Sequence, residues 1–151
     1  MKNLIAFDCD ETFWTTPYVE DDYFMSLPES INRYDFEYRE EIVKIYNEKR
    51  KNPDNKFVIL TNRAVFIKKL ILERLKKDKG IEFDYTLFRC CDRNKGHRLA
   101  NLIDKLGDIE NVEFYDDKQK HRKSIRKLRK KYPNINFKIF AVEHEITEEK
   151  N

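Results

Sequence analysis

Glycine and proline are scarce in this chain, three and four in 151 residues. That excludes a turn-rich all-β architecture and a linker-like chain, both of which need frequent punctuation. Cysteine is limited to Cys9, Cys90 and Cys91. An odd count without C-x-x-C spacing makes no disulfide framework, so free thiols in a reducing compartment are expected. No apolar run approaches the ~18 residues that span a bilayer, and the opening MKNLIAFDCDE meets acids too early for a secretory leader. The expectation is a soluble cytoplasmic protein with no membrane partner. Charge of one sign is missing too. Lysine plus arginine number 31 against 28 acids, a net +3, so only the distribution of charge can argue for a polyanionic partner. Finally, no G-x-x-x-x-G-K-[S/T] occurs, which excludes a built-in P-loop kinase.

What is present supplies one core. Hydrophobic residues make up 40% and aromatics 13% of a length that suits one domain. Its expected extent is 1–143, with a frayed polar tail over 144–151. NLIAF (3–7), FVILT (57–61), DYTLF (84–88), VEFY (112–115) and FKIFAV (137–142) read as strands buried on both faces. Helical spacing links Phe36, Ile42, Val43 and Tyr46, then Phe66, Ile67, Leu70, Ile71 and Leu75, then Leu99, Leu102, Ile103 and Leu106. A basic helix follows from 118, with Ile125, Leu128 and Tyr132 as its apolar edge. Residues 15–34 read as irregular. Strand and helix alternating five times predict an α/β fold, a three-layer Rossmann-like parallel sheet with helices on both faces.

In such sheets ligands bind beyond the carboxyl ends of the strands, where the strand order reverses. The distinctive polar residues fall at those ends. They are Asp8 and Asp10 after the first strand, Thr61-Asn62-Arg63 after the second, and Asp116-Asp117 after the fourth. Lys95 opens the helix before the fourth. Polar residues cap strands in many proteins, and Thr61 or Lys95 alone would mean little; the set in this order points to one site. Two carboxylates as close as Asp8 and Asp10 need a compensating partner.

With Asp8-Cys9-Asp10-Glu11-Thr12, VILT ending on Thr61, Lys95, and Asp116-Asp117 as motifs I to IV, the chain resembles the haloacid dehalogenase-like (HAD) phosphohydrolase superfamily. The likeness spans roughly residues 1–143 and implies strand order 5-4-1-2-3 with the first strand central. It implies Asp8 as nucleophile, forming an aspartyl-phosphate, and Asp10 as the acid and then base for the leaving group and water. The metal ligands would be Asp8, Asp116, Asp117 and the backbone carbonyl of Asp10. Hard oxygen ligands favour Mg²⁺, which would supply the missing positive charge. The Thr61 hydroxyl and the Asn62 N–H would hold phosphoryl oxygens, and Lys95 would offset the charge. Lys105 and Arg93 are rival cations for motif III. Phe13 replaces the commoner aliphatic residue after the motif I threonine.

Neither 15–34 nor 64–95 has length to spare for a folded cap, so an open site is expected, suited to the phosphate at a macromolecular end. Within the superfamily, DETFWTTP, ILTNR with a following Phe, and YDDKQKH look like the small predicted RNA-repair group. Residues 118–131 hold nine lysines and arginines and no acid. They read either as a solvated face or as a track for a polyanion, in which Lys118, Lys120 and Arg122 meet substrate. His121 reads as a surface or substrate-contacting residue. Trp14, Tyr18 and Tyr23 either stack bases or pack. Cys90, Cys91, Asp92 and His97 fit no usual zinc spacing. Cys9 reads as a buried, inert thiol.

The expected function is a Mg²⁺-dependent phosphatase acting on nucleic-acid or nucleotide ends. The alternatives are a phosphatase of phosphoproteins or small esters, and a non-catalytic nucleic-acid-binding module.

Overall fold

A computed structural model describes residues 2–15, 28–32 and 36–150. In chain order its elements are β1 (Asn3–Phe7), β2 (Trp14–Thr15), α1 (Glu29–Asn32), β3 (Glu37–Tyr38), α2 (Glu40–Lys49) and β4 (Asn55–Ala64). A 3-10 turn (Val65–Ile67) leads into α3 (Lys68–Lys79), β5 (Tyr85–Arg89), α4 (Lys95–Leu106) and β6 (Asn111–Asp116). The chain continues as α5 (Gln119–Arg126), α6 (Leu128–Lys131), β7 (Asn136–Val142) and β8 (Ile146–Glu148).

The main sheet runs β5-β4-β1-β6-β7-β8. Its first five strands are parallel, with β1 between β4 and β6. This is the expected order of the five apolar runs, with one strand added beyond β7. Alternate residues of the β1 and β4 runs enter opposite cores, which is why NLIAF and FVILT are nearly apolar throughout. By contrast, β5 is largely half-buried and β7 alternates, with Lys138 exposed, so these two lack the expected burial on both faces. Ile5, Phe7, Phe57 and Ile59 pack under α2 and α3 with Ile42, Tyr46, Ile71 and Leu75. Leu4, Ala6, Val58, Leu60, Val112 and Phe114 pack under α4 to α6 with Leu99, Ile103, Ile125 and Leu128. At the start of the strands, Asn3 donates to Asn55 and accepts from Asn111, 2.8 and 2.9 Å, which pins the register across the three central strands. Their opposite ends are thereby aligned at the site.

Three further expectations change. The polar tail is not frayed: β8 pairs antiparallel with β7, and Glu149 beyond it meets Arg122 and Arg126. A segment this short carries no periodicity to announce such a strand. Helix α2 begins at Glu40, because Glu37–Tyr38 pair with Trp14–Thr15 instead. The basic helix breaks at Lys127 into α5 and α6. Of the two readings of Trp14, packing holds: it is fully buried and stacks on Phe36 at 4.2 Å. Tyr18 and Tyr23 lie outside the described residues. No helix among the described residues is long and apolar enough to cross a membrane.

Candidate active site

The end of β1 delivers Asp8, whose N–H donates to Tyr115 O at 2.9 Å on the neighbouring strand. A tight turn follows, in which the Thr12 and Phe13 N–H groups donate to Cys9 O. Glu11 adopts φ 60°, the left-handed region that non-glycine residues seldom occupy and that concentrates at functional turns. The turn returns Thr12 to the site, its hydroxyl 3.4 Å from Asp8 Oδ2. Cys9 points into the core; burial first, then the Asp10 charge, pushes its thiol up, which keeps it inert.

Lys95 is the second component. The Asn94 side chain caps α4 by accepting from the His97 N–H at 3.1 Å. Gly96 lets the helix start press against α5: a Cβ there would stand 2.5 Å from Ser124 O. The buried Lys95 ammonium consequently lies between two strand ends, 2.8 Å from Asp8 Oδ1 and 2.6 Å from Asp116 Oδ2. Burial opposes its charge, but Asp116 and Asp8 outweigh that and raise its pKa. The rivals Arg93 and Lys105 are exposed.

Asp8, Asp116 and Asp117 each place a carboxylate oxygen within 4.8 Å of the others. Burial first, then Asp116, pushes the Asp8 carboxyl well above the usual range, with Lys95 only partly offsetting them. The same two causes push Asp117 up to about 7. Burial also works against Asp116, yet Lys95, His121 and the Lys118 amide overcome it and hold its carboxyl low. Three acids thus share one base. Asp117 Oδ1 is buried without a hydrogen-bond partner. An all-oxygen cluster short of positive charge, with an acceptor left over, fits a hard divalent cation. Cys90, Cys91, Asp92 and His97 form no such cluster among the described residues.

Asp10 has a different setting. Its side chain turns away from that cluster to Arg63, which donates from Nε to Oδ2 at 2.7 Å and from Nη2 to Oδ1 at 2.8 Å. Trp14 Nε1 adds a third donor at 3.0 Å, and Arg63 Nη1 reaches Ser30 Oγ. Thr61, Asn62 and Arg63 lie in an irregularity of β4: between the pairs Leu60↔Leu87 and Ala64↔Arg89, β4 spends three residues against one. Such bulges re-aim side chains beside sites.

The Asn62 side chain lies beside His121 Nε2 at 3.4 Å and accepts from Arg98, while His121 Nδ1 lies 3.1 Å from Asp116 Oδ2. Arg122, expected to meet substrate, is turned inward instead. It is buried, pairs with Glu149 at 2.6 Å and donates to Asp116 O at 3.0 Å, bracing the site from behind. The basic run divides by residue type. Arg122, Arg126 and Arg129 turn inward to Glu149 and Phe137 O, whereas Lys118, Lys120, Lys123 and Lys127 are exposed. Forked guanidinium groups suit fixed multiple acceptors, and flexible ammonium groups suit water. Sequence reasoning assigned no role to Arg63 or Arg98. Arg63 is buried and Arg98 half-buried, each against polar acceptors brought in by other elements, and no periodicity marks such an arginine; adjacency to Thr61-Asn62 was the one signal for Arg63.

Residues 13–150 match the family described as HAD domain family 1 in Swiss Army Knife RNA repair proteins. The match begins just after Asp8 and Asp10, which join the site by geometry. No curated protein sequence matches. Among solved structures, the chain is similar to part of the Pnkp1/Rnl/Hen1 RNA repair complex, with TM-score 0.62 and 15% identity, covering 90% of this chain and 41% of that one. The HAD domain of the effector Lem4 from Legionella pneumophila gives TM-score 0.60 and 12% identity, covering 93% and 85%. The N-terminal part of BF1531 from Bacteroides fragilis, containing a phosphatase domain complexed with Mg, gives TM-score 0.55 and 14% identity, covering 90% and 35%. At such identities the likeness is one of fold.

Proposed function

The chain belongs to HAD domain family 1 of the Swiss Army Knife RNA repair proteins, and from that membership we propose that it is a Mg²⁺-dependent phosphatase, removing a phosphate monoester from RNA or DNA ends through an aspartyl-phosphate on Asp8. The observation that carries this reading is the Lys95 bridge. One buried ammonium holds Asp8 and Asp116, at 2.8 and 2.6 Å, beside the orphaned oxygen of Asp117.

Lys95 and Thr12 orient the Asp8 carboxylate. An Asp8 oxygen attacks phosphorus while the bond to the ester oxygen breaks, and Lys95 offsets the charge that builds on the phosphoryl group. Asp10 gives a proton to the departing oxygen, then takes one from the water that hydrolyses the acyl phosphate. Inorganic phosphate leaves and the Asp8 carboxylate returns. Both Asp10 oxygens are engaged by Arg63, so either proton transfer requires one of those contacts to open. The Thr61 hydroxyl and the Asn62 N–H hold phosphoryl oxygens. Asp8, Asp116 and Asp117, with the Asp10 carbonyl, would hold Mg²⁺, which would supply positive charge against the charge that builds during transfer.

Support for a nucleic-acid end comes from the family itself, from the neighbouring RNA repair complex, and from exposed Lys118 and Lys120 at the start of α5, beside Asp116 and Asp117. The test is phosphate release from 3′- and 5′-phosphorylated RNA and DNA oligonucleotides, phosphopeptides and sugar phosphates, with Mg²⁺ or EDTA. Release from oligonucleotide ends that EDTA and Asp8→Asn both abolish is expected. Turnover surviving Asp8→Asn would overturn the chemistry, and a preference for phosphopeptides or sugar phosphates would overturn the substrate.

A further inference from the structure

Phe66 is 73% exposed and Val65 42%, and they are the exposed large hydrophobic side chains among the described residues. They are adjacent, in the 3-10 turn that follows Thr61-Asn62-Arg63 at the end of β4. Ile67 anchors that turn in the core at 1% exposure, so the turn is fixed while its neighbour is held out in water. Burying a phenylalanine is stabilising, and this position forgoes that gain.

The location gives the exposure a meaning. β1 ends at Phe7 opposite Ile59, so Asp8 stands level with Leu60. Six residues at ~3.3 Å each put Phe66 no more than ~20 Å along the chain direction from that level. A strand attached to a phosphate at Asp8 spans a distance of that size. The surroundings are cationic. Helix α3 opens on Lys68-Lys69 with no acid in its first turn, and Arg89 at the end of β5 donates to Asn62 O at 3.0 Å. A flat apolar ring among cations is the arrangement that binds single-stranded nucleic acid without reading its sequence, ring against base and cations against backbone. A protein surface of the usual kind would bury a wider apolar core than two side chains.

We propose that Phe66, flanked by Val65, is the stacking platform for a base of the single-stranded nucleic acid whose terminal phosphate lies at Asp8. This rests on the proposed substrate class. Phe66 thereby contributes to the choice of a polynucleotide end over a small ester, and does so for any base.

The test separates binding from turnover by working in an Asp8→Asn background. Fluorescence anisotropy with short phosphorylated oligonucleotides compares Phe66, Phe66→Ala, Phe66→Leu and Phe66→Trp. Each oligonucleotide is paired with a version abasic at the nucleotides next to the phosphate. Phe66→Ala is expected to weaken binding of the base-bearing strand by about 5- to 100-fold, the range of one lost stack. It should leave binding of the abasic strand unchanged, and Trp should restore what Leu does not. Unchanged thermal unfolding of each variant checks the fold. Equal losses on both strands, or full rescue by Leu, would overturn stacking and leave Phe66 as a general apolar contact. If the wild-type protein acts on oligonucleotide ends and Phe66→Ala binds them normally, the platform alone fails. If it acts only on phosphopeptides or sugar phosphates, the substrate class fails and the platform with it.

Discussion

Arg63 grips Asp10 by both carboxylate oxygens, with Nε to Oδ2 at 2.7 Å and Nη2 to Oδ1 at 2.8 Å, in a setting where both side chains are almost fully buried. Parallel N–H···O contacts of this kind fix direction as well as distance. The guanidinium therefore sets the rotamer from which Asp10 acts. Through Ser30 Oγ, at 2.6 Å, it also ties that rotamer to α1.

Arg63→Ala should cost about 3–5 kcal/mol, because it leaves a buried carboxylate without its partner. Arg63→Lys keeps the charge without the fork and should cost less. In both variants, alkyl phosphates, whose poor leaving groups need a delivered proton, should lose more kcat/KM than an aryl phosphate. Urea unfolding and paired kinetics check this; equal losses on both ester types would detach Arg63 from proton transfer.

The carboxylate cluster should make metal-free stability fall as pH rises. Asp117 is pushed up to about 7 and Asp8 is raised as well, so between the ordinary carboxylate range and pH 7 the folded state binds more protons than the unfolded one. Stability then decreases as pH climbs through that window. Mg²⁺ competes with those protons, so its stabilising effect should grow over the same window. Melting curves from pH 5 to 8 in EDTA and in Mg²⁺ measure both trends. A Mg²⁺ effect that is absent, or does not change with pH, would remove the cation from this cluster.

Glu149→Gln should loosen β8 and weaken the back of the site together. Burial raises the Glu149 carboxyl, but Arg122 and Arg126 outweigh it and hold it low. A lowered carboxyl contributes stability above its unfolded pKa that is lost as pH falls through the folded one. The variant should lose about 3 kcal/mol at neutral pH, since the glutamine amide keeps one acceptor oxygen but leaves buried Arg122 without a counter-charge. Amide exchange at Ala141 and Val142 should speed up. Unchanged melting and exchange would mean that the ion pairs hold nothing in place.

Lys120→Glu with Lys123→Glu should weaken reaction with phosphorylated oligonucleotides more than with a small aryl phosphate. Both lysines are exposed on α5, and neither touches the Arg122–Glu149–Arg126 pairs. Added negative charge repels a strand along its length, whereas a small ester senses the pocket alone. The oligonucleotide advantage of the wild-type protein should shrink with salt. Kinetics from low to high ionic strength decide; parallel losses on both substrates would make α5 an ordinary solvated face.

The five strands were legible because each is a short, mostly apolar run that ends near a polar residue, and their order followed from the resemblance that the motifs at those ends carry. The charged set Asp8, Asp10, Lys95, Asp116 and Asp117 was legible for the same reason: each residue sits at a strand end or helix start, and topology alone brings such ends together. Local pattern carries that information, since apolar runs, helix caps and strand ends are each written within a few residues.

Tertiary structure decided which cations serve the site and which serve the fold. Nine basic residues in 118–131 look alike in sequence, yet Arg122, Arg126 and Arg129 face acceptors on β7 and beyond β8 while all six lysines are exposed. Trp14 and Phe66 were equally aromatic, but one is buried against Phe36 and the other is held out by the Ile67 anchor. The bidentate grip of Arg63 on Asp10 spans 53 positions of sequence. Direction, unlike hydrophobicity, has no one-dimensional trace: a side chain's partner depends on which strands are neighbours and on where β4 bulges, and both are settled only when the sheet closes around β1.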